Sequence, residues 1–213
     1  MDYKNLLVTI KTDDRSIEAR FDFPAKTGPQ PCVILCHPHP KYGGNMYNNV
    51  LNEISSKLVG SGIGTLRFNY RGVGMSTGEI EGGTGEISDS ITVAEFASKS
   101  NLIDGSRLGI GGYSFGAWMA LEVIKQKNFI KALASISCSQ NKLSSYSTME
   151  IVQPKLLMLG DRDHDFPVAQ FQFLSSRFQG DAIIEIISQA DHFFKGKESI
   201  VGEIVSDFFA SRL

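Results

Sequence analysis

Gly109-Ile110-Gly111-Gly112-Tyr113-Ser114-Phe115-Gly116-Ala117-Trp118 is the stretch whose reading decides the fold. An apolar run from Leu108 climbs into it, and Ala117, Trp118, Met119, Ala120 and Leu121 begin a helix after it. The pattern is strand, sharp turn, helix, with a serine at the apex and glycines two residues to either side. A serine held on a strained strand-to-helix turn brings neighbouring backbone too close for side chains at those two positions, so glycine fits there. The turn lifts the hydroxyl clear of the sheet, and the helix N-terminus sets a backbone N–H beside it. G-x-S-x-G arises often by chance; the strand before it and the helix after it make it specific.

The rest of the chain supplies the matching elements. Leu6–Ile10 and Ile17–Phe23 read as strands around an Asp13-Asp14-Arg15 turn, an antiparallel edge. Cys32–Cys36 is continuously apolar, as in strands buried on both faces of a parallel sheet. Val50, Leu51, Ile54, Leu58 and Val59 share one helical face, stopped by Gly60 and Gly62. Strands follow at Gly64–Tyr70, Leu108–Tyr113, Ala132–Cys138, Lys155–Leu159 and Ile183–Ile187, with helices over Ile87–Ser98, Ala117–Lys127, Val168–Phe178 and around Ile200–Phe209. Arg71–Gly85 holds six glycines and few apolar residues, which predicts a mobile loop. The alternation predicts an α/β fold: a mostly parallel sheet of about eight strands with helices on both faces, one domain over residues 1–213. Its chemistry is expected in loops at the C-terminal strand ends, after Cys36, Tyr70, Tyr113 and Leu159.

The chain has 213 residues, enough for a sizeable core, and a net charge of −2. That balance argues against nucleic-acid binding, which needs clustered excess Lys and Arg. Three cysteines (Cys32, Cys36, Cys138) read as buried free thiols rather than a disulfide framework, which suggests a reducing compartment. The opening Met1-Asp2-Tyr3-Lys4-Asn5 lacks the apolar core of a signal peptide, and no segment approaches the 18 or so apolar residues of a membrane span. A cytoplasmic protein is expected, with its oligomeric state open.

A serine hydroxyl needs a general base, usually a histidine oriented by a carboxylate. In the α/β-hydrolase arrangement the order along the chain is serine, acid, histidine. Only His164 and His192 follow Ser114. His164 sits one residue from any acid that could orient it, and adjacent side chains rarely meet in that geometry. His192 lies in Gln189-Ala190-Asp191-His192-Phe193-Phe194, beyond the last strand, where it can overhang the turn. It is the expected base. Asp161, Asp163 and Asp165 compete for the acid within Gly160–Pro167.

These motifs, together with Arg67-Phe68-Asn69-Tyr70-Arg71-Gly72-Val73-Gly74-Met75-Ser76, resemble a small α/β-hydrolase of the dienelactone-hydrolase-like or carboxylesterase kind, from about Val33 to Phe194. The resemblance implies a Gly-x-x-Asp-x-x-Val-Pro register in the acid loop, with Phe166 replacing valine, and so assigns Asp163; Asp161 and Asp165 then read as solvated. It implies hydrolysis of esters, thioesters, lactones or amides; no cofactor or metal is expected. Two backbone N–H groups must face the developing oxyanion. Phe115, after the serine, gives one. The other normally comes from a His-Gly-Gly-Gly loop, where this chain has His37-Pro38-His39-Pro40. Proline has no N–H, so His39 is the natural donor, with Lys41 and Tyr42 as alternatives and His37 a structural brace. Only the 15 residues Ser139–Gln153 stand where such proteins often insert a cap, so the site should be open. Tyr42, Tyr70, Phe115, Tyr146 and Phe193 are the rim aromatics to expect, with Tyr42 and Tyr70 as substrate contacts.

Competing readings are weaker. The glycine runs at residues 71–78 and 109–112 lack the G-x-G-x-x-G spacing or the Lys-Ser/Thr of nucleotide loops. A metal site from His37, His39, Asp161, Asp163, His164 and Asp165 is conceivable, but the triad accounts for Asp163 without it. A non-catalytic binding protein and an acyltransferase could carry the same triad.

Overall fold

The computed structural model describes residues 3–213. Met1 and Asp2, part of the opening read above for a leader, lie outside the described residues. Among the described residues eight strands form one sheet: β1 (Tyr3–Lys11), β2 (Ser16–Pro24), β3 (Gln30–Cys36), β4 (Gly64–Phe68), β5 (Ile103–Tyr113), β6 (Ala132–Ile136), β7 (Lys155–Gly160) and β8 (Ala182–Ile187). Their spatial order is β1-β2-β4-β3-β5-β6-β7-β8. β1 pairs antiparallel with β2, and β2 with β4; every later pairing is parallel. The expected antiparallel edge and parallel centre are both present.

Six α-helices among the described residues cover the sheet: α1 (Asn49–Gly60), α2 (Thr84–Lys99), α3 (Phe115–Gln126), α4 (Gln140–Tyr146), α5 (Val168–Ser175) and α6 (Glu198–Ala210). The two faces have separate cores. Val33 and Leu35 of β3 pack with α1 and α6, while Cys32, Ile34 and Cys36 pack toward α2 and α3. A strand that is buried on both faces cannot alternate apolar with polar, which is why β3 reads as an unbroken apolar run. Asn48 caps α1, its side chain accepting from the N–H groups of Val50 and Leu51. The region read as too short for a cap holds only α4.

One expectation is overturned. The glycine-rich connection after β4 is fastened rather than loose. Arg71 donates to the fully buried Asp89 from its backbone N–H (2.9 Å), Nε (3.1 Å) and a terminal nitrogen (2.9 Å). Glu86 accepts from the N–H groups of Glu81, Gly82 and Gly83 at 2.7–3.2 Å. The residues that pin it lie in α2, so a composition window over the loop does not contain them. No helix among the described residues is long and apolar enough to cross a membrane.

Candidate active site

Ser114 sits between β5 and α3 at φ 56°, ψ −114°. A non-glycine residue at positive φ is strained by about 1–3 kcal/mol and persists only where its surroundings hold it. Here its N–H is held by the Ile136 carbonyl at 2.8 Å. The flanking glycines are required by contact. A Cβ on Gly112 would lie 2.0 Å from the Gly116 carbonyl oxygen, and one on Gly116 would lie 2.0 Å from that of Cys36.

His192 reaches this turn from the loop after β8. Its Nε2 is 3.0 Å from Ser114 Oγ, and its Nδ1 is 2.8 Å from Asp163 Oδ2. The Asp163 side chain is 1% exposed, and its Oδ1 accepts the Asp165 N–H at 3.1 Å. The Asp163 hydrogen bond is the main influence that raises the His192 pKa above its ordinary value; partial burial opposes it. The arrangement therefore puts the proton on Nδ1 and leaves the Nε2 lone pair facing the serine hydroxyl.

The residue-75 to residue-207 portion of the chain matches the model of the dienelactone hydrolase family. The chain belongs to that family. The chain is also similar, at 31% identity over 84% of its length and 78% of the relative's, to an uncharacterized protein of Rickettsia prowazekii. It superposes on an α/β serine hydrolase homologue from Coxiella burnetii with a TM-score of 0.83 (26% identity, 96% of both chains). A lidless α/β serine hydrolase from Xanthomonas campestris gives a TM-score of 0.83 at 25% identity, over 96% of this chain and 93% of that one. This dienelactone hydrolase family member thus has the lidless α/β-hydrolase fold that its four motifs implied.

Above the serine lies a cavity of about 830 Å³. Its aromatic lining is Tyr42, Tyr113, Phe115, Trp118, Phe166 and Phe193. Tyr42 and Phe193 stand at the mouth, 89% and 69% exposed. Tyr70, expected there as a substrate contact, is instead fully buried and does not line the cavity. Its ring packs between those of His37 (4.2 Å between centroids) and Phe115 (5.8 Å). Tyr146 is also buried and meets the cavity only indirectly, accepting a hydrogen bond from Trp118 Nε1 at 3.2 Å. His39 lines the cavity with its ring 4.5 Å from that of Phe115. Phe115 is the first residue of α3, so its N–H has no intrahelical acceptor.

Sequence reasoning missed one wall of the cavity. Ser137, Cys138 and Ser139, between β6 and α4, and Asn141 and Lys142, in the first turn of α4, form it, and the Lys142 ammonium sits 3.3 Å over the Trp118 ring. A loop too short for a lid still edges the site, and the polar residues there gave the only available signal. Asp161, read as solvated, accepts from the Ala190 N–H at 3.3 Å, while the Ala190 carbonyl accepts from Arg162 N–H at 2.9 Å. The acid loop therefore holds the base loop directly. His164 is exposed and outside the cavity lining. Asp163, Asp165 and His192 are the group close enough to share a metal ion among the described residues, and two of them belong to the Ser114 chain of hydrogen bonds.

Proposed function

We propose that this hydrolase cleaves small carboxylic esters, thioesters or lactones through an acyl-enzyme on Ser114. The observation that carries this reading is the unbroken line Ser114 Oγ, His192 Nε2, His192 Nδ1, Asp163 Oδ2, with steps of 3.0 and 2.8 Å at a strained elbow. His192 takes the hydroxyl proton as Ser114 Oγ attacks the carbonyl carbon. The backbone N–H groups of Phe115 and His39 receive the oxyanion. His192 then returns the proton to the leaving alcohol, thiol or enol. Water enters, His192 removes its proton, and the acid departs as Ser114 regains its hydroxyl.

The absence of a cap over the mouth favours water over a second alcohol as acyl acceptor, and so hydrolysis over acyl transfer. The cavity is within the usual range of roughly 300–1,000 Å³ for small-molecule sites. Tyr42 and Phe193 are placed to grip the part of the substrate that projects from it. Three buried free thiols suit a reducing, cytoplasmic setting, and the fold works as one domain.

A fluorophosphonate probe at neutral pH tests the mechanism. Labelling of Ser114 in the wild-type protein, lost in Ser114→Ala and in His192→Ala, is the expected result. A wild-type protein that stays unlabelled would leave only a binding role for this site. A series of p-nitrophenyl esters then sorts substrate size: hydrolysis confined to short acyl chains fits the proposal, and preference for long chains rejects it.

A further inference from the structure

His37 is fully buried beneath the loop that carries His39, and both of its ring nitrogens are engaged. Nδ1 lies 2.7 Å from the Pro38 carbonyl oxygen, and Nε2 lies 3.2 Å from the Tyr70 backbone nitrogen. A carbonyl can only accept and a backbone N–H can only donate. The ring therefore carries its proton on Nδ1 and its lone pair on Nε2. No other assignment satisfies both partners.

The Pro38 carbonyl belongs to the same peptide unit as the His39 N–H. No peptide bond among the described residues is cis, so these groups point to opposite sides of one plane. His37 draws the carbonyl down into the interior, and the N–H is thereby turned up toward the cavity that Pro38 and His39 line. The His39 N–H has no hydrogen-bond partner among the described residues. Gly44 closes the other side: a Cβ there would fall 2.0 Å from the same Pro38 oxygen, so its bare backbone is pressed against the carbonyl. The His39 carbonyl is fixed in turn by the N–H groups of Tyr42 (3.0 Å) and Gly44 (3.2 Å).

The geometry points to His37 as a positioning residue that locks the Pro38–His39 peptide with its N–H facing the oxyanion. This deepens the acyl-enzyme reading above and rests on it. Pro38 contributes as well, because a residue without an N–H leaves this loop no competing donor at that point. Burial pushes the His37 pKa down to about 3, so the Nδ1 donor persists throughout the range in which His192 can act as a base.

Two substitutions separate the two ring nitrogens. An asparagine amide nitrogen overlays Nδ1, so His37→Asn keeps the donor to Pro38 and loses the acceptor for Tyr70. In His37→Gln the longer side chain reaches the Nε2 position, so its carbonyl can accept from Tyr70 while the Pro38 oxygen loses its donor. Each variant forfeits one buried hydrogen bond, so their melting temperatures should fall by similar amounts. Ester hydrolysis should not. Losing an entire oxyanion donor costs about 10²–10³ in kcat, so a misaimed one in His37→Gln should lower kcat by at least roughly tenfold with KM little changed, while the kcat loss in His37→Asn should be distinctly smaller. Equal kcat losses in the two variants, or a loss confined to KM, would overturn the assignment.

A ¹⁵N–¹H spectrum of the histidine rings of the wild-type protein gives a readout that depends on neither variant folding nor on any activity. It should show His37 protonated on Nδ1 alone, and a proton on Nε2 overturns the lock. If the wild-type protein cleaves no ester and takes no fluorophosphonate, the acyl-enzyme reading fails. The spectrum then still decides whether the peptide is held.

Discussion

The elbow at Ser114 and the connection after β4 are both glycine-rich links between a strand and a helix, opening at the same edge of the same sheet. They are built on opposite principles. In the elbow, glycines stand where backbone meets backbone: Gly112 against the Gly116 carbonyl, Gly116 against that of Cys36. In the connection after β4 the close approaches are to side chains, Gly74 to Asn69 and Glu18 and Gly85 to Arg71; Gly82, at φ +79°, has nothing within 4 Å of a Cβ, and order comes from charge, through Arg71 on Asp89 and Glu86 on three N–H groups. In the proposed mechanism the elbow places the attacking atom and tolerates no displacement. The other link contributes little more than Gly82 to the cavity and needs only to stay folded. A glycine count does not tell these two apart; what each glycine touches does.

The largest effects should therefore come from the elbow and what reaches it. Asp163→Asn leaves the shape but removes the charge that fixes the His192 tautomer, so kcat should fall by about 10⁴. The pH profile gives the sign. In the proposed mechanism His192 acts as a base only when neutral, and its pKa is raised mainly by the Asp163 hydrogen bond. Wild-type kcat/KM should thus be lost as pH falls through a midpoint above the ordinary histidine value, and the residual activity of Asp163→Asn should titrate at a lower midpoint. A midpoint that does not move would detach Asp163 from His192. Next in size, Gly116→Ala drives a methyl into the Cys36 carbonyl, which belongs to a central strand and cannot withdraw. A shift of about 1 Å at the serine can cost roughly 10² in rate, so a matching loss against p-nitrophenyl acetate is expected, with a lowered melting temperature.

This contrast also marks what could be read from the sequence. The strand order class was legible because strands buried on both faces, such as β3, are continuously apolar. The elbow was legible because its steric demand is local: positions 112 and 116 lie two residues from the serine. Ser114, His192 and Asp163 come together as expected, the last through a register that the family resemblance supplied. What escaped depends on pairs distant along the chain. Arg71 and Asp89 are 18 residues apart, Asp161 and Ala190 are 29 apart, and neither partner is distinctive alone. Tyr70 follows a strand end and could face either way; the His37 ring settles it by accepting the Tyr70 N–H and packing against its ring. The cavity wall at residues 137–142 was hidden because a short polar loop looks the same whether or not it edges a site.

Breaking the second link should separate stability from chemistry. Asp89 is fully buried between Arg71 and Arg15, whose side chains are 11% and 15% exposed and each set a nitrogen 2.9 Å from its Oδ1. Removing one member of a buried ion cluster costs about 3–5 kcal/mol, and the partial exposure of both arginines sets Asp89→Asn at about 3 kcal/mol, at the low end of that range. Urea unfolding should show that loss while kcat at low temperature stays near wild type. A kcat deficit as large as that of Gly116→Ala would mean the link shapes the site after all.

Gly82→Ala is the smallest change and the closest counterpart of Gly116→Ala, since both add one methyl to a glycine. At position 82 the methyl meets open space, so the only cost is that of holding an alanine at positive φ, about 1–2 kcal/mol. Relief is available there, because the turn can relax without moving Ser114 and the N–H of Gly82 still has Glu86 to bind. Stability should drop by that amount and kcat should hold. At position 116 the same methyl meets a carbonyl in the middle of the sheet, and no relaxation is available that leaves the serine in place. If the two variants lost activity alike, the distinction between glycine as a contact and glycine as a turn would fail for this protein.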